Sequence, residues 1–232
     1  MVSLLKLMKL EMRKFRIGSY VRAAIIANIV ILGFICLMSL NAEFKDLFMN
    51  YNIVFSTIDT VVRGTYIVFA SVLISRLVID EFRNKSITVL FMYPINRKKL
   101  IAAKLLVVVL FTLVADIVAN LFIGIGFYVL NQFASVIPEP FTGAVAATAL
   151  LKVIMSALAT SFLSLIPLYF GMRKHSGAST IISSLIVVGI VCQNIDGFTL
   201  YSIIAIPIGM ALIGAAIAYM SIRNIEHVDV LK

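Results

Sequence analysis

Asp116 and Asn120 stand four residues apart inside the apolar run 101–130, where an ionisable side chain is costly unless it is paired or wet. On a helix that spacing puts both on one face, turned to protein or water rather than lipid. The pattern supports two chemistries. One is a polar patch on a substrate path, extending to a proton relay through the carboxyl; the other is an interhelical hydrogen bond that locks a bundle. Asp59 and Arg63 repeat the spacing near the outer end of the run 54–79, where a mutual ion pair lowers the cost of holding both charges close to the membrane. Such a pair is first of all a local structural device. Lys152 is the one charge in the run 144–170 before Arg173, and its long stem allows the ammonium to snorkel outward.

Catalysis and metal binding find little else to use. His175 and His227 are remote from each other, with no acidic or cysteine pattern beside them, so they read as solvated loop residues. Cys36 and Cys192 lie singly in apolar runs without CxxC spacing, which argues against a metal site or a disulfide framework. GxSxG and HExxH are absent. The chain is therefore expected to be no enzyme, and to bind neither metal nor cofactor. GxxxxGK[ST] is absent too, so any ATP used is bound by another subunit.

The elements that must position these residues follow from composition. Of 232 residues, 62% are hydrophobic and 13% charged, against about 45–50% apolar in soluble domains. Mean hydropathy is +1.08. A spanning helix needs roughly 20 apolar residues, so the length fits about six crossings. The reading is an all-α membrane protein, one transmembrane domain over 1–232. Segment 1–20 is amphipathic, with Leu5, Met8, Met12 and Phe15 on one face beside Lys6, Lys9, Arg13 and Arg16, which predicts an interfacial helix on the inner leaflet. Spans are predicted at 21–40, 54–79, 101–130, 144–170, 177–193 and 200–222. The first is too long for a signal-peptide core and is expected to stay uncleaved. The last carries Gly209, Gly214 and Ala218, small residues that read as ordinary bundle packing.

Charge sets the orientation. With both termini inside, all 20 basic residues except Lys45, Arg63 and Lys152 fall on the cytoplasmic side. The net charge of +9 is thus a topology signal rather than a sign of nucleic acid. No internal repeat is visible, which weighs against a secondary transporter.

The remaining informative stretch runs from Asp80 to Lys104. Asp80, Glu81, Arg83, Lys85, Arg97, Lys98, Lys99 and Lys104 cannot lie in hydrocarbon, while Ile87, Leu90 and Phe91 line one face of a short helix. This combination suits docking to a soluble partner. Its residues Glu81, Lys85-Ser86, Pro94-Ile95-Asn96-Arg97 and Ala103-Lys104 resemble the signature of the ABC type-2 transporter permeases, with Ser86 and Asn96 where members often carry Thr and Ser. The whole-length pattern, an amphipathic start followed by six spans, is similar to that family's branch of bacitracin, lantibiotic and amphipathic toxin-peptide exporters.

The resemblance implies a coupling helix around 82–93, between spans two and three, seated in a cleft of a separate ABC ATPase. Glu81, Lys85, Ser86, Ile87, Leu90, Phe91, Pro94 and Arg97 are then the ATPase-coupling residues, and ATP and Mg²⁺ belong to that partner. It further implies a second permease subunit, identical or a sister, membrane lipid and an amphipathic peptide as the other contacts, and a bacterial cytoplasmic membrane as the location. Members usually carry re-entrant helices between the last two spans; here only Asn194 to Thr199 lie there. The rival reading is an ATP-independent channel or proton-coupled carrier using Asp116, and a third is a membrane scaffold whose basic face recruits partners.

Overall fold

The structure is a computed structural model, and it describes residues 4–14, 18–41, 50–83, 97–134, 136–137, 141–195, 198–199 and 205–224. In chain order these form α1 (Leu4–Lys14), α2 (Gly18–Leu40), α3 (Tyr51–Ile74), a π-helical stretch (Ser75–Ile79) and the last turn α4 (Asp80–Arg83). Next come α5 (Arg97–Ala134), α6 (Gly143–Leu163), α7 (Ile166–Lys174) and α8 (Gly177–Val191). Strands β1 (Asn194–Ile195) and β2 (Phe198–Thr199) pair antiparallel before α9 (Ala205–Asn224). In hydrocarbon a helix satisfies its own backbone polar groups, which is why the apolar runs take this form.

Among the described residues, Gly18–Ser39, Tyr51–Arg83, Lys98–Ala134 and Gly143–Lys174 are long and apolar enough to cross a bilayer, while Gly177–Val191 and Pro207–Ser221 are apolar but shorter. The chain is thus a multi-pass membrane protein. Two predicted spans are longer than expected: 54–79 extends to Tyr51–Arg83, and 101–130 lies within the 38 residues of α5. Within the predicted span 144–170 a turn interrupts the helix, although Gly143–Lys174 remains one apolar stretch. Ser164 and Leu165 turn between α6 and α7, with the Leu165 amide bonded back to the Phe162 carbonyl at 3.1 Å. Pro167, early in α7, has no N–H to continue the helical ladder, and its ring crowds the turn before it.

Helix α1 buries Leu7, Met8 and Glu11 against the protein and leaves Lys6, Lys9, Leu10 and Met12 exposed. Leu7 and Met8 join Leu77, Leu100 and Ile101 in an inner apolar core. A separate core nearer the other end packs Ile31, Ile35, Val54, Ile58, Ile123 and Phe127 from α2, α3 and α5.

Small residues set the closest approaches. A Cβ on Gly214 of α9 would lie 2.1 Å from the Phe162 carbonyl oxygen, so this position brings α9 onto α6 within the chain. The π-helical stretch beds into the α7–α8 corner in the same way, since a Cβ on Gly177 would meet Ser75 Oγ at 2.2 Å. The Asp80 amide reaches back five residues to the Ser75 carbonyl, the widened register of a π-bulge. His175 closes α7 at φ 46°, the left-handed conformation that turns the chain into α8.

Candidate functional site

Among the described residues, two clusters of buried charge lie in this bundle. The first gathers residues from α3, α5 and α6. Asp59 and Arg63, one turn apart, form the expected ion pair. Arg63 is 1% exposed. Because α3 starts at Tyr51, the two residues lie about 12 and 18 Å along the helix from its first residue. Ser156 of α6 completes the pair, donating to Asp59 Oδ2 at 3.0 Å and accepting from Arg63 Nη2 at 3.3 Å. The ion pair therefore also ties two helices together.

Asp116 and Asn120 share the same region. Asn120 Nδ2 donates to the Asp116 carbonyl at 3.1 Å and stands 3.5 Å from Asp116 Oδ2. Asp116 is fully buried, and its Oδ1 has no hydrogen-bond partner among the described residues. Asp59 and Arg63 lie within its electrostatic reach, and so does Tyr66. The Tyr66 hydroxyl donates to Asn28 Oδ1 of α2 at 2.9 Å. The two predicted pairs thus belong to one polar region inside the membrane. Sequence reasoning missed Ser156, Tyr66 and Asn28; Asn28 was visible as the one amide in the run 21–40.

The second cluster lies at the other end of α3 and α5. Lys104, one of the charges of the 80–104 stretch expected to stay out of hydrocarbon, is 1% exposed, and Glu81 is 7% exposed. They form an ion pair. Lys104 Nζ also donates to the Leu77 carbonyl in the π-helical stretch at 2.9 Å and stands 3.6 Å from Glu11 Oε2 of α1. The charges avoid hydrocarbon, as their types demand, by facing one another inside the protein rather than water. Glu11 was not singled out from sequence; its signal was being the one acid in a basic amphipathic helix. Beside this cluster the rings of Phe82 and His175 approach to 6.4 Å, so the α7–α8 corner braces the last turn before Arg83.

Of the remaining coupling candidates, Lys85, Ser86, Ile87, Leu90, Phe91 and Pro94 lie outside the described residues. Arg97 opens α5. At the opposite end, Tyr51, Phe55, Tyr128 and Phe141 form an aromatic group, with Phe141 5.2 Å from Tyr51 and 4.9 Å from Tyr128. Asn131 holds the connection after α5, accepting from the Ile137 amide at 2.7 Å and donating to the Tyr51 hydroxyl at 2.8 Å. Among the described residues no three of His, Cys, Asp and Glu come together as metal ligands.

A model of the ABC-2 family transporter proteins matches residues 7–193. A protein of Bacillus subtilis (strain 168), described as "Uncharacterized protein YcbO", is 39% identical over 227 residues, covering 97% of this chain and the whole of the relative. No solved structure matches.

Proposed function

The chain belongs to the ABC-2 family of transporter proteins, and on that premise we propose that it is the transmembrane permease subunit of an ATP-binding-cassette exporter, moving amphipathic, antimicrobial or toxin peptides out of the cell. It acts as one domain over 1–232 with six crossings, α2, α3–α4, α5, α6–α7, α8 and α9, and both termini in the cytoplasm of a bacterium. It performs no catalysis. A separate ABC ATPase binds ATP and Mg²⁺, and a second permease, a copy or a sister subunit, faces this one across the substrate path.

The observation that carries this reading is helix length. Tyr51–Arg83 is 33 residues and α5 is 38, so they span about 50 and 57 Å against a hydrocarbon core of about 30 Å. The excess falls largely at the end that carries Asp80, Arg83, Lys98 and Lys99, because charges without a buried counter-charge stay out of hydrocarbon. On this reading Arg83 and Arg97, which flank 84–96 in sequence, stand at the cytoplasmic ends of two long helices, where a soluble motor can engage the chain. Glu81 acts there by fixing the base of the segment, and the apolar residues Ile87, Leu90 and Phe91 make the contact. An interior with few charges suits an amphipathic cargo entering from the inner leaflet.

Asp116 favours one second reading. A fully buried carboxyl with an oxygen left over has the makings of a proton site, and a proton-coupled carrier or channel would use it.

The test is co-purification of the tagged chain from its native host in mild detergent, alongside a variant with Ile87→Asp and Leu90→Asp. Recovery of a P-loop ATPase with the natural chain, reduced in the variant, is the expected result. Its absence from the natural chain across several gentle extractions would leave the exporter without a motor and the carrier reading ahead.

A further inference from the structure

Lys104 is placed where a lysine has unusual leverage. Its ammonium donates to the Leu77 carbonyl at 2.9 Å and pairs with the Glu81 carboxylate, while Glu11 Oε2 stands 3.6 Å away, within ion-pair range but beyond a hydrogen bond. These belong to the π-helical stretch, to α4 and to α1, while Lys104 itself is on the second turn of α5. One side chain of α5 therefore addresses α1, the π-helical stretch and α4.

Stability alone does not call for charges at this place. The surrounding core already packs Leu7, Met8, Leu100 and Ile101. Burying an ion pair is often no better than burying apolar groups of similar volume, because desolvation offsets the attraction. Apolar contact tolerates sliding of one helix over another. An ammonium between two carboxylates and a carbonyl does not, since each lost contact leaves a buried charge or dipole unpaired. Such a group defines relative position more than it adds energy.

We propose that Lys104 is a positioning residue that, through Glu11 and Glu81, locks α1 to α4 and to the first turns of α5, so that the three move as one rigid unit. The consequence for transport rests on the exporter reading above: force delivered to the segment reaches α3, α5 and α1 together, and α1 shifts with the motor rather than drifting on the lipid. The rigidity itself does not rest on that reading.

The experiment uses the full chain with Cys36→Ala and Cys192→Ala, spin-labelled at Lys9→Cys and Arg83→Cys, both exposed positions on α1 and α4. Pulsed electron paramagnetic resonance in lipid nanodiscs reads the distance between the labels. The otherwise unaltered chain is expected to show a single narrow peak, unmoved when the complex with its ATPase is trapped by ATP and vanadate. The charge-free variant Lys104→Met, Glu11→Gln, Glu81→Gln is expected to lose that peak to a broad or split distribution, and Lys104→Arg to keep it. Glu81→Gln alone retains a one-to-one pair with Glu11, so it remains folded if the triple variant aggregates, and its peak should also broaden. A narrow peak in whichever charge-altered variant is folded, or labels that separate on trapping in the unaltered pairing, would overturn the proposal. If no ATPase co-purifies, the exporter reading fails, and the nucleotide-free comparison still decides the role of Lys104.

Discussion

Lys104 Nζ on α5 stands 3.6 Å from Glu11 Oε2 on α1, although α2, α3, the π-helical stretch and α4 lie between them in sequence. With Glu81 on the other side of the same ammonium, the contact makes the N-terminal helix part of the transmembrane bundle's base.

Lys104→Met alone should be far more damaging than removal of all three charges. The single change leaves Glu11 and Glu81 buried without their cation, a loss of about 3–5 kcal/mol by analogy with broken buried pairs. Thermal unfolding in detergent, followed by fluorescence-detected size exclusion, should rank the single variant below the triple variant Lys104→Met, Glu11→Gln, Glu81→Gln. The opposite ranking would mean that the charges are not mutually compensating.

Ser156→Ala removes a hydroxyl that touches both members of the Asp59–Arg63 pair. Polar contacts between helices in membranes are worth about 0.6 kcal/mol on average and up to about 1.7. Arg63→Met is expected to cost much more, because it strands Asp59, and the double change Arg63→Met, Asp59→Asn to recover most of that loss. Melting curves for the three variants and the natural chain check the order; equal losses for Arg63→Met and Ser156→Ala would show that Asp59 has another counter-charge.

Asp116→Asn keeps the size and hydrogen-bonding reach of the side chain while removing its ability to exchange a proton. Membrane accumulation and recovery of the partner ATPase should stay at the level of the natural chain, and ATP-dependent export should survive. Loss of all transport with the ATPase still bound would shift the assignment to a proton-coupled cycle.

Gly177→Ala forces a methyl group onto Ser75 Oγ, 2.2 Å from where the new Cβ would lie. Overpacking of this kind costs about 1–3 kcal/mol. Adding Ser75→Ala should return much of it, since the offending oxygen is gone. Stability measurements on both variants test whether the π-helical stretch and the α7–α8 corner are truly in contact; no rescue by Ser75→Ala would place the strain elsewhere.

Much of the local structure was legible in the residues. Asp59 with Arg63, and Asp116 with Asn120, are i, i+4 neighbours whose meeting depends only on helical pitch, so spacing was enough to predict them. Apolar runs marked the long helices because hydrophobic length is set by bilayer thickness. Gly214 read as bundle packing, and its contact with Phe162 is of that kind. The break at Ser164–Leu165 had a signal in Pro167, which the continuous apolar run outweighed.

By itself, then, the sequence determined that this is a helical membrane protein of the ABC-2 type, which of its helices are long, and which charges pair within a turn. Tertiary structure alone decided that Lys104 turns inward to Glu81 and Glu11, that Ser156 bridges Asp59 and Arg63, and that α1 docks on α5. The physical reason is that hydropathy measures the cost of moving a side chain out of water, and a protein interior lined with the right counter-charge meets that cost as well as water does. Which helix supplies the counter-charge depends on how the helices pack, and packing is not a local property of the chain.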